Sequence, residues 1–172
     1  MPLSSRYLVL PFFVPAVFFC PLLTPLLSTP LLSTPIALAD FQAGVEAYDG
    51  GDVPAALAQW RTAARAGDLD AQVALADLYA QGIGLPKDLS AAAYWYRRAA
   101  LQGHPVAQLN LGELYRRGEG LPQRPVQAYL WFTLAVEGGS VWAAERLKAL
   151  TTTMTEAELS EARTLVAGWP RQ

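Results

Sequence analysis

Residues 69–104 read LDAQVALADLYAQGIGLPKDLSAAAYWYRRAALQGH, and residues 105–140 read PVAQLNLGELYRRGEGLPQRPVQAYLWFTLAVEGGS. Laid over each other without a gap, the two blocks agree at thirteen of 36 positions, most of them alanine, glycine, leucine or aromatic. Self-similarity at a fixed period of this length is typical of arrays in which each unit packs on the next. The two blocks therefore predict an all-α fold of stacked helical hairpins.

Each block has apolar residues at helical spacing on both sides of a glycine-containing loop. In the first block the predicted helices cover residues 69–81 and 88–102, and Asp88 is the predicted N-cap of the second. The predicted buried stripe of that second helix consists of Ala92, Trp95, Tyr96, Ala99 and Ala100. Arg124 stands at the corresponding place in the second block, so we expect a weaker or differently made cap there. The loop follows a helix and lacks the lysine–serine pair of a phosphate-binding loop, which favours a structural role.

Shorter segments flank the two blocks. Residues 40–68 contain a Gly51-Asp52 turn followed by a predicted helix over about 53–66. Residues 141–172 contain two predicted helices, about 141–150 and 156–167, the first capped by Ser140 and the second opened by a capping box at Thr155. We therefore expect about four helical pairs in residues 40–172, the last closing the open end of the stack.

Several of these motifs resemble known repeats. The Gly51-Asp52 turn is similar to that of the tetratricopeptide repeat, and residues 75–79, 82–88 and 92–103 resemble the Sel-one-like repeat, a relative with a longer loop between its helices. The resemblance covers about residues 41–140. It implies an α/α solenoid that forms a right-handed superhelix, and members of this family commonly serve as adaptors in larger assemblies.

Residues 1–39 differ from the rest in composition. They carry one charge, Arg6, followed by a strongly apolar run over residues 7–19 and by Ala37-Leu38-Ala39 before Asp40. This pattern predicts a secretory signal peptide cleaved after Ala39. An uncleaved membrane anchor is the alternative, against which six prolines in residues 11–35 argue. A lipoprotein signal is rejected because bulky residues precede Cys20.

The charges and rare residues exclude several classes of function. All 15 acidic residues and all basic residues except Arg6 lie beyond residue 39 and nearly balance, which argues against nucleic-acid binding. The only cysteine lies in the leader, so thiol catalysis and the common zinc sites are not expected. His104, the only histidine, lies between a glycine and a proline, where helix capping or solvent exposure accounts for it. We therefore predict no enzyme activity, no catalytic residue, no metal and no cofactor.

The resemblance also implies a binding surface. In tetratricopeptide-like arrays, the first helix of each pair lines a concave surface that binds peptides or protein segments. Carried over by position, that surface comprises Phe41, Val45, Tyr48, Val73, Asp77, Leu109, Glu113, Arg116, Trp142 and Glu145. Helical phase directs these side chains away from the core of their own hairpin, and the alternative is that neighbouring repeats cover them.

The sequence thus favours a scaffold or adaptor of the bacterial cell envelope, periplasmic or secreted, that acts as a monomer and binds a protein or peptide. Contact with a membrane is expected only through the leader, before cleavage. An envelope hydrolase, or a binder of peptidoglycan-like or β-lactam-like small molecules, is the alternative. Cysteine-rich relatives suggest it, but their paired cysteines are absent here. A purely structural spacer is a third hypothesis, and it needs no exposed apolar stripe.

Overall fold

The structure is a computed structural model that describes the backbone of residues 36–170 and the side chains from residue 41 onward. Within this part of the chain it contains eight α-helices and no strand. The helices are α1 (Ile36–Asp49), α2 (Val53–Ala66), α3 (Leu69–Gln81), α4 (Leu89–Ala100), α5 (Pro105–Arg117), α6 (Pro125–Glu137), α7 (Val141–Thr151) and α8 (Glu156–Ala167). The predicted all-α fold is confirmed.

Local sequence signals account for the helix ends. The carboxylates of Asp52 and Asp88 accept the first free N–H groups of α2 and α4, and the capping box at Thr155 forms as predicted. At the equivalent start of α6, the side chain of Arg124 makes no capping hydrogen bond, as the sequence suggested. Gly82 has a φ of 76° at the end of α3, where the left-handed conformation favours glycine.

The helices pack in the order of the sequence. The pairs α1/α2, α3/α4 and α5/α6 form antiparallel hairpins, and each hairpin packs on the next through α2 with α3 and α4 with α5. At the C-terminal end, α7 and α8 both pack on α6 and make few contacts with each other. The predicted fourth hairpin is therefore a cap of two separate helices, because each buries its apolar side against α6.

The core consists of alanines and aromatic rings that interlock between helices. Phe132 of α6 is fully buried, and a Cβ at Gly112 of α5 would lie 2.7 Å from its ring. Trp60 of α2 packs in the same way on Gly44 of α1. The predicted buried stripe of α4 is correct for its alanines and Tyr96, but Trp95 is only half-buried. Its ring instead contacts Tyr94 edge-on and lies under the guanidinium of Arg98.

Two glutamines connect neighbouring repeats. The side-chain amide of Gln72 in α3 donates to the carbonyl oxygen of Ala64 at the end of α2, over 3.1 Å. Gln108 in α5 makes the same bond to Ala100 at the end of α4, over 3.2 Å. Both side chains are buried, and each donates a second hydrogen bond to a carbonyl oxygen that already accepts the backbone N–H of Gly67 or Gly103.

The glycine loops pack on the preceding repeat. A Cβ at Gly120 would lie 2.4 Å from the backbone of Leu89 at the start of α4, and the hydroxyl of Ser90 donates to the carbonyl of Gly120. Gly84 approaches Val53 at the start of α2 equally closely. Glycine is required at both places because a side chain would collide with the neighbouring helix, which supports the structural interpretation of these loops.

No helix in the described part of the chain is long and apolar enough to cross a membrane. Of the predicted leader, only the backbone of residues 36–39 is described, as the first turn of α1. The predicted apolar run at residues 7–19, and Cys20, lie outside the described residues.

Candidate binding surface

The structure distributes the ten predicted surface residues over several environments. Tyr48 and Asp77 line one pocket, while Leu109, Glu113 and Trp142 line a second. Arg116 lies in a hollow beside the second pocket, and Glu145 is exposed outside all of them. Phe41 and Val45 are partly buried against the core.

Val73 corrects the prediction. Its side chain is buried in the core cluster, so it cannot contribute to a binding surface. Helical phase placed Val73 on the outer side of its own hairpin, but residues of the following repeats cover it. Ala107 and Leu111 of α5 belong to the same buried cluster.

The N-terminal pocket has a volume of about 190 Å³. Its aromatic wall consists of Tyr48, which is 38% exposed, and Trp60. The centroids of these two rings lie 5.5 Å apart. The indole N–H of Trp60 donates to the carbonyl of Phe41, which fixes the orientation of the ring. The lining residues are Tyr48, Trp60, Ala74, Asp77, Leu78, Gln81 and Ile83.

Asp77 is the only charged residue of this lining. Its carboxylate accepts a hydrogen bond from the hydroxyl of Tyr96, and the oxygen of that hydroxyl accepts one from Asn110. Burial raises the pKa of Asp77 above its ordinary value, and the bond from Tyr96 only partly offsets this. Burial and the neighbouring Asp77 also raise the pKa of Tyr96, so its hydroxyl keeps its proton. The three side chains connect α3, α4 and α5.

The C-terminal pocket has a volume of about 220 Å³. Trp142, at the start of α7, is 68% exposed, which is more than any other aromatic side chain that the structure describes. Leu109 of α5 lies across from it in the lining and is partly buried. The lining residues are Leu109, Asn110, Glu113, Arg117, Trp142 and Arg146.

Glu113 holds two arginines in this region. Its Oε2 accepts from Nε of Arg116 over 2.8 Å, and its Oε1 accepts from Nη2 of Arg116 over 2.7 Å and from Nε of Arg117 over 2.9 Å. The hydrogen bonds from Arg116, followed by the charges of both arginines, lower the pKa of Glu113 despite its partial burial. Glu113 is therefore ionised at neutral pH and has its oxygens occupied.

The two pockets use equivalent helix positions. With the 36-residue period, Ala74, Asp77 and Gln81 of α3 correspond to Asn110, Glu113 and Arg117 of α5. The geometry of the repeat thus places a pocket at the same position of α3 and of α5. The side chains that differ between the two repeats determine the charge and polarity of each pocket. The first pocket is aromatic and acidic, while the second combines a tryptophan with arginines.

His104 has a structural role, as the sequence indicated. It is the N-cap of α5, and its Nδ1 accepts the backbone N–H of Ala107 over 3.3 Å. Its Nε2 lies 3.1 Å from the carboxylate of Asp70. Asp68 and Ser140 cap α3 and α7 at the same repeat position. Within the described residues, no group of three or more His, Cys, Asp or Glu side chains is placed to hold a metal ion.

The predicted surface lacks eight residues that line the two pockets, among them Trp60, Arg117 and Arg146. Trp60 packs in the core, but one side of it also forms the aromatic wall. Arg117 and Arg146 were not selected because the predicted surface was copied from the first helices of shorter repeats. The i, i+4 spacing of Trp142 and Arg146 on α7 was the available signal, since it places the two on one side of the helix.

Helical hairpins stacked at a 36-residue period define an α/α repeat protein of the solenoid class. A family model described as the Sel1 repeat matches residues 69–104 and 105–140, the two blocks that the alignment of the chain with itself defines. A search of curated proteins found no match.

Solved structures agree with this classification. A Sel1 repeat protein from Oxalobacter formigenes is 34% identical, with a TM-score of 0.63 over 66% of this chain and 88% of that one. A protective antigen present in uropathogenic Escherichia coli strains, displaying an SLR fold, is 32% identical with a TM-score of 0.71. The match covers 76% of this chain and 29% of the antigen's length. The protein belongs to the Sel1 repeat family.

Proposed function

We propose that the protein is an exported adaptor of the bacterial cell envelope that binds a segment of another protein on the surface of α1, α3, α5 and α7. The coarser part of this statement, a Sel1 repeat scaffold, follows from the family. The binding role and the location are the proposal. The pattern of residues 1–39 supports export.

One observation carries the binding role. Large aromatic side chains, Tyr48 and Trp142, are exposed at the edges of pockets that recur at equivalent positions of the array. Neither side chain belongs to the buried core clusters, although Tyr48 contacts the ring of Trp60, and a spacer does not need an exposed tryptophan such as Trp142. Exposed aromatic residues beside small hollows are typical of protein interfaces, where tryptophan, tyrosine and arginine dominate the binding energy.

The sizes of the pockets favour a chain segment over a free small molecule. Both hollows are smaller than the roughly 300–1,000 Å³ of ordinary small-molecule sites, at about 190 and 220 Å³. Each suits one side chain, and two of them along one surface suit an extended or helical segment that presents several side chains. The hydrolase alternative has no comparable observation in its favour.

The test is capture of envelope proteins by the full-length protein, compared with a Tyr48→Ala/Trp142→Ala double variant. A Tyr94→Ala variant is the matched control, because Tyr94 is 56% exposed but lies on α4 outside both pockets. We expect the same proteins with the wild type and Tyr94→Ala and their loss with the double variant, all three having equal thermal stability. Equal capture by all three would place the binding surface elsewhere.

Export has its own check. N-terminal sequencing of the protein from a periplasmic or culture fraction should begin at Asp40. A product found only in the cytoplasm with residues 1–39 intact would contradict this part of the proposal.

A further inference from the structure

The C-terminal pocket combines an exposed indole with an excess of guanidinium groups. Its lining contains Arg117 and Arg146 against one carboxylate, that of Glu113. We infer that this pocket binds an acidic segment of a partner protein, with one apolar side chain against Trp142 and carboxylates on Arg146 and Arg117. The inference rests on the proposed function and assigns the chemistry of the partner.

The first argument concerns the indole. Trp142 is 68% exposed, and it forms the wall of the pocket opposite Leu109. Burying an aromatic side chain of this size under a partner removes a large apolar area from water. The cavity of about 220 Å³ between the two residues accepts a single apolar side chain, which sets the position of the segment.

The second argument concerns the balance of charge. Glu113, whose side chain is 19% exposed, is shared by Arg116 and Arg117, so one negative charge faces two positive ones. Arg146 has no hydrogen bond or ion pair within the described part of the chain and lies on the same side of α7 as Trp142. The charge of Glu119 also acts on Arg116, so three guanidinium groups face two carboxylates and keep one excess positive charge and unused donors.

The basic surface continues beyond the pocket. Arg116 and Arg146 also line a neighbouring hollow of about 490 Å³, and no acidic residue belongs to that lining. Glu145, the acidic neighbour of Arg146 in the sequence, lines neither hollow. If a bound segment places an apolar side chain in the pocket, the residues on either side of it lie over guanidinium groups. Acidic residues are therefore favoured at these flanking positions of the segment.

Guanidinium groups suit carboxylates because their N–H groups form paired, charge-assisted hydrogen bonds. A nucleic-acid partner fits less well, since acidic residues exceed basic ones beyond residue 39. The N-terminal pocket provides an internal contrast, because its only charged residue is Asp77.

The experiment titrates the full-length protein into fluorescein-labelled synthetic peptides of nine residues. The first peptide has a central leucine flanked by glutamates, the second has lysines in place of the glutamates, and the third has serine in place of the leucine. We expect the first peptide to bind at least tenfold more tightly than the other two, with an affinity that falls as salt is added.

Variants locate the site. Arg146→Glu and Trp142→Ala should each weaken binding of the acidic peptide at least tenfold. Arg163→Glu is the matched control for charge, because Arg163 is exposed on α8 and lines none of the hollows described above. It should bind like the wild type.

Three results would overturn the inference: equal binding of the acidic and lysine peptides, an equal loss with Arg163→Glu, or Arg146-dependent binding of phosphatidylglycerol vesicles without binding of the acidic peptide. The proposed adaptor role is tested separately from the chemistry of the partner. If the Tyr48→Ala/Trp142→Ala variant still loses its envelope partners while the acidic peptide does not bind, the adaptor role stands and the assigned chemistry is wrong.

Discussion

Residues 40–68 form the first repeat, and the two matching blocks, 69–104 and 105–140, are repeats two and three. Repeats two and three place an acidic residue at the same position of their first helix, but Asp77 and Glu113 have opposite environments. Asp77 turns toward α4 and accepts the hydroxyl of Tyr96. The equivalent of Tyr96 in repeat three is Phe132, which has no hydroxyl, and Glu113 pairs with Arg116 and Arg117 instead. The loss of the tyrosine hydroxyl at this position thus accompanies the change from an acidic pocket to a basic one.

The same pair of rings differs in packing. Phe132 of α6 packs directly on Gly112 of α5. In repeat two, the residue equivalent to Gly112 is Ala76 of α3, which lies in the same core cluster as Tyr96 of α4. The residues that fill the core are nearly the same in both repeats, and the polar residues at its edge vary. The comparison teaches that the core maintains the array while the edge residues give each repeat its own surface.

The largest effect is expected from Phe132→Ala. Removing a fully buried phenyl ring should lower the free energy of unfolding by about 3–5 kcal/mol, because it leaves a cavity in a packed core. Trp95→Ala in repeat two is the comparison, and its half-buried ring should cost less. Urea unfolding of both variants measures the difference. Equal losses would mean that the greater burial of Phe132 does not determine how much its removal costs.

An intermediate effect is expected from Arg124→Asp. The backbone of Arg124 has φ −145° and ψ 94°, nearly the −143° and 97° of Asp88, so an aspartate there can cap α6 as Asp88 caps α4. We expect a gain of about 1 kcal/mol in the free energy of unfolding. Arg124→Ala is the control for loss of the arginine alone, and a gain equal to that of Arg124→Asp would exclude capping as the cause.

The smallest effect is a difference in pH dependence between Asp77→Asn and Glu113→Gln. The folded pKa of Glu113 lies below its ordinary 4.5, so its contribution to stability is present above that pH and is lost as the pH falls through the folded pKa. The folded pKa of Asp77 lies above its ordinary 3.8, so its ionisation removes stability as the pH rises from 3.8 through the folded pKa.

Urea unfolding at neutral and acidic pH separates the two residues. At neutral pH, Glu113→Gln should be less stable than the wild type, whereas Asp77→Asn should be at least as stable because its amide oxygen can still accept from Tyr96. Both differences should shrink at about pH 3, where the wild-type carboxyls gain protons. If both variants were less stable than the wild type at neutral pH, Asp77 and Glu113 would not lie in opposite electrostatic environments.

Much of the fold could be predicted from the sequence because its signals are local. The helix over residues 53–66 and the capping roles of Asp52, Asp88 and Thr155 appear in the structure as predicted. Each depends on residues within one or two turns of one another, and the repeat shows them more than once. The separation of α7 from α8 was not predicted, because it depends on how much apolar surface α6 offers to both.

The candidate surface was less predictable. Helical phase identified Tyr48 and Trp142, which are exposed, and it also selected Val73, which is buried. Phase states which side of its own helix a residue occupies, but it does not state whether another helix covers that side. The hydrogen-bonded link from Asp77 through Tyr96 to Asn110 was equally hidden, since it joins residues of three different helices.

The sequence by itself determined the all-α class, the helices from residue 53 onward, the caps at Asp52, Asp88 and Thr155, and the family resemblance. Periodicity, capping and internal repetition are properties of neighbouring residues, which is why the sequence shows them. Only the tertiary structure decided which first-helix residues remain exposed, and that Arg117 and Arg146 meet beside Trp142. Those contacts join helices separated by tens of residues, so they follow from how the hairpins stack.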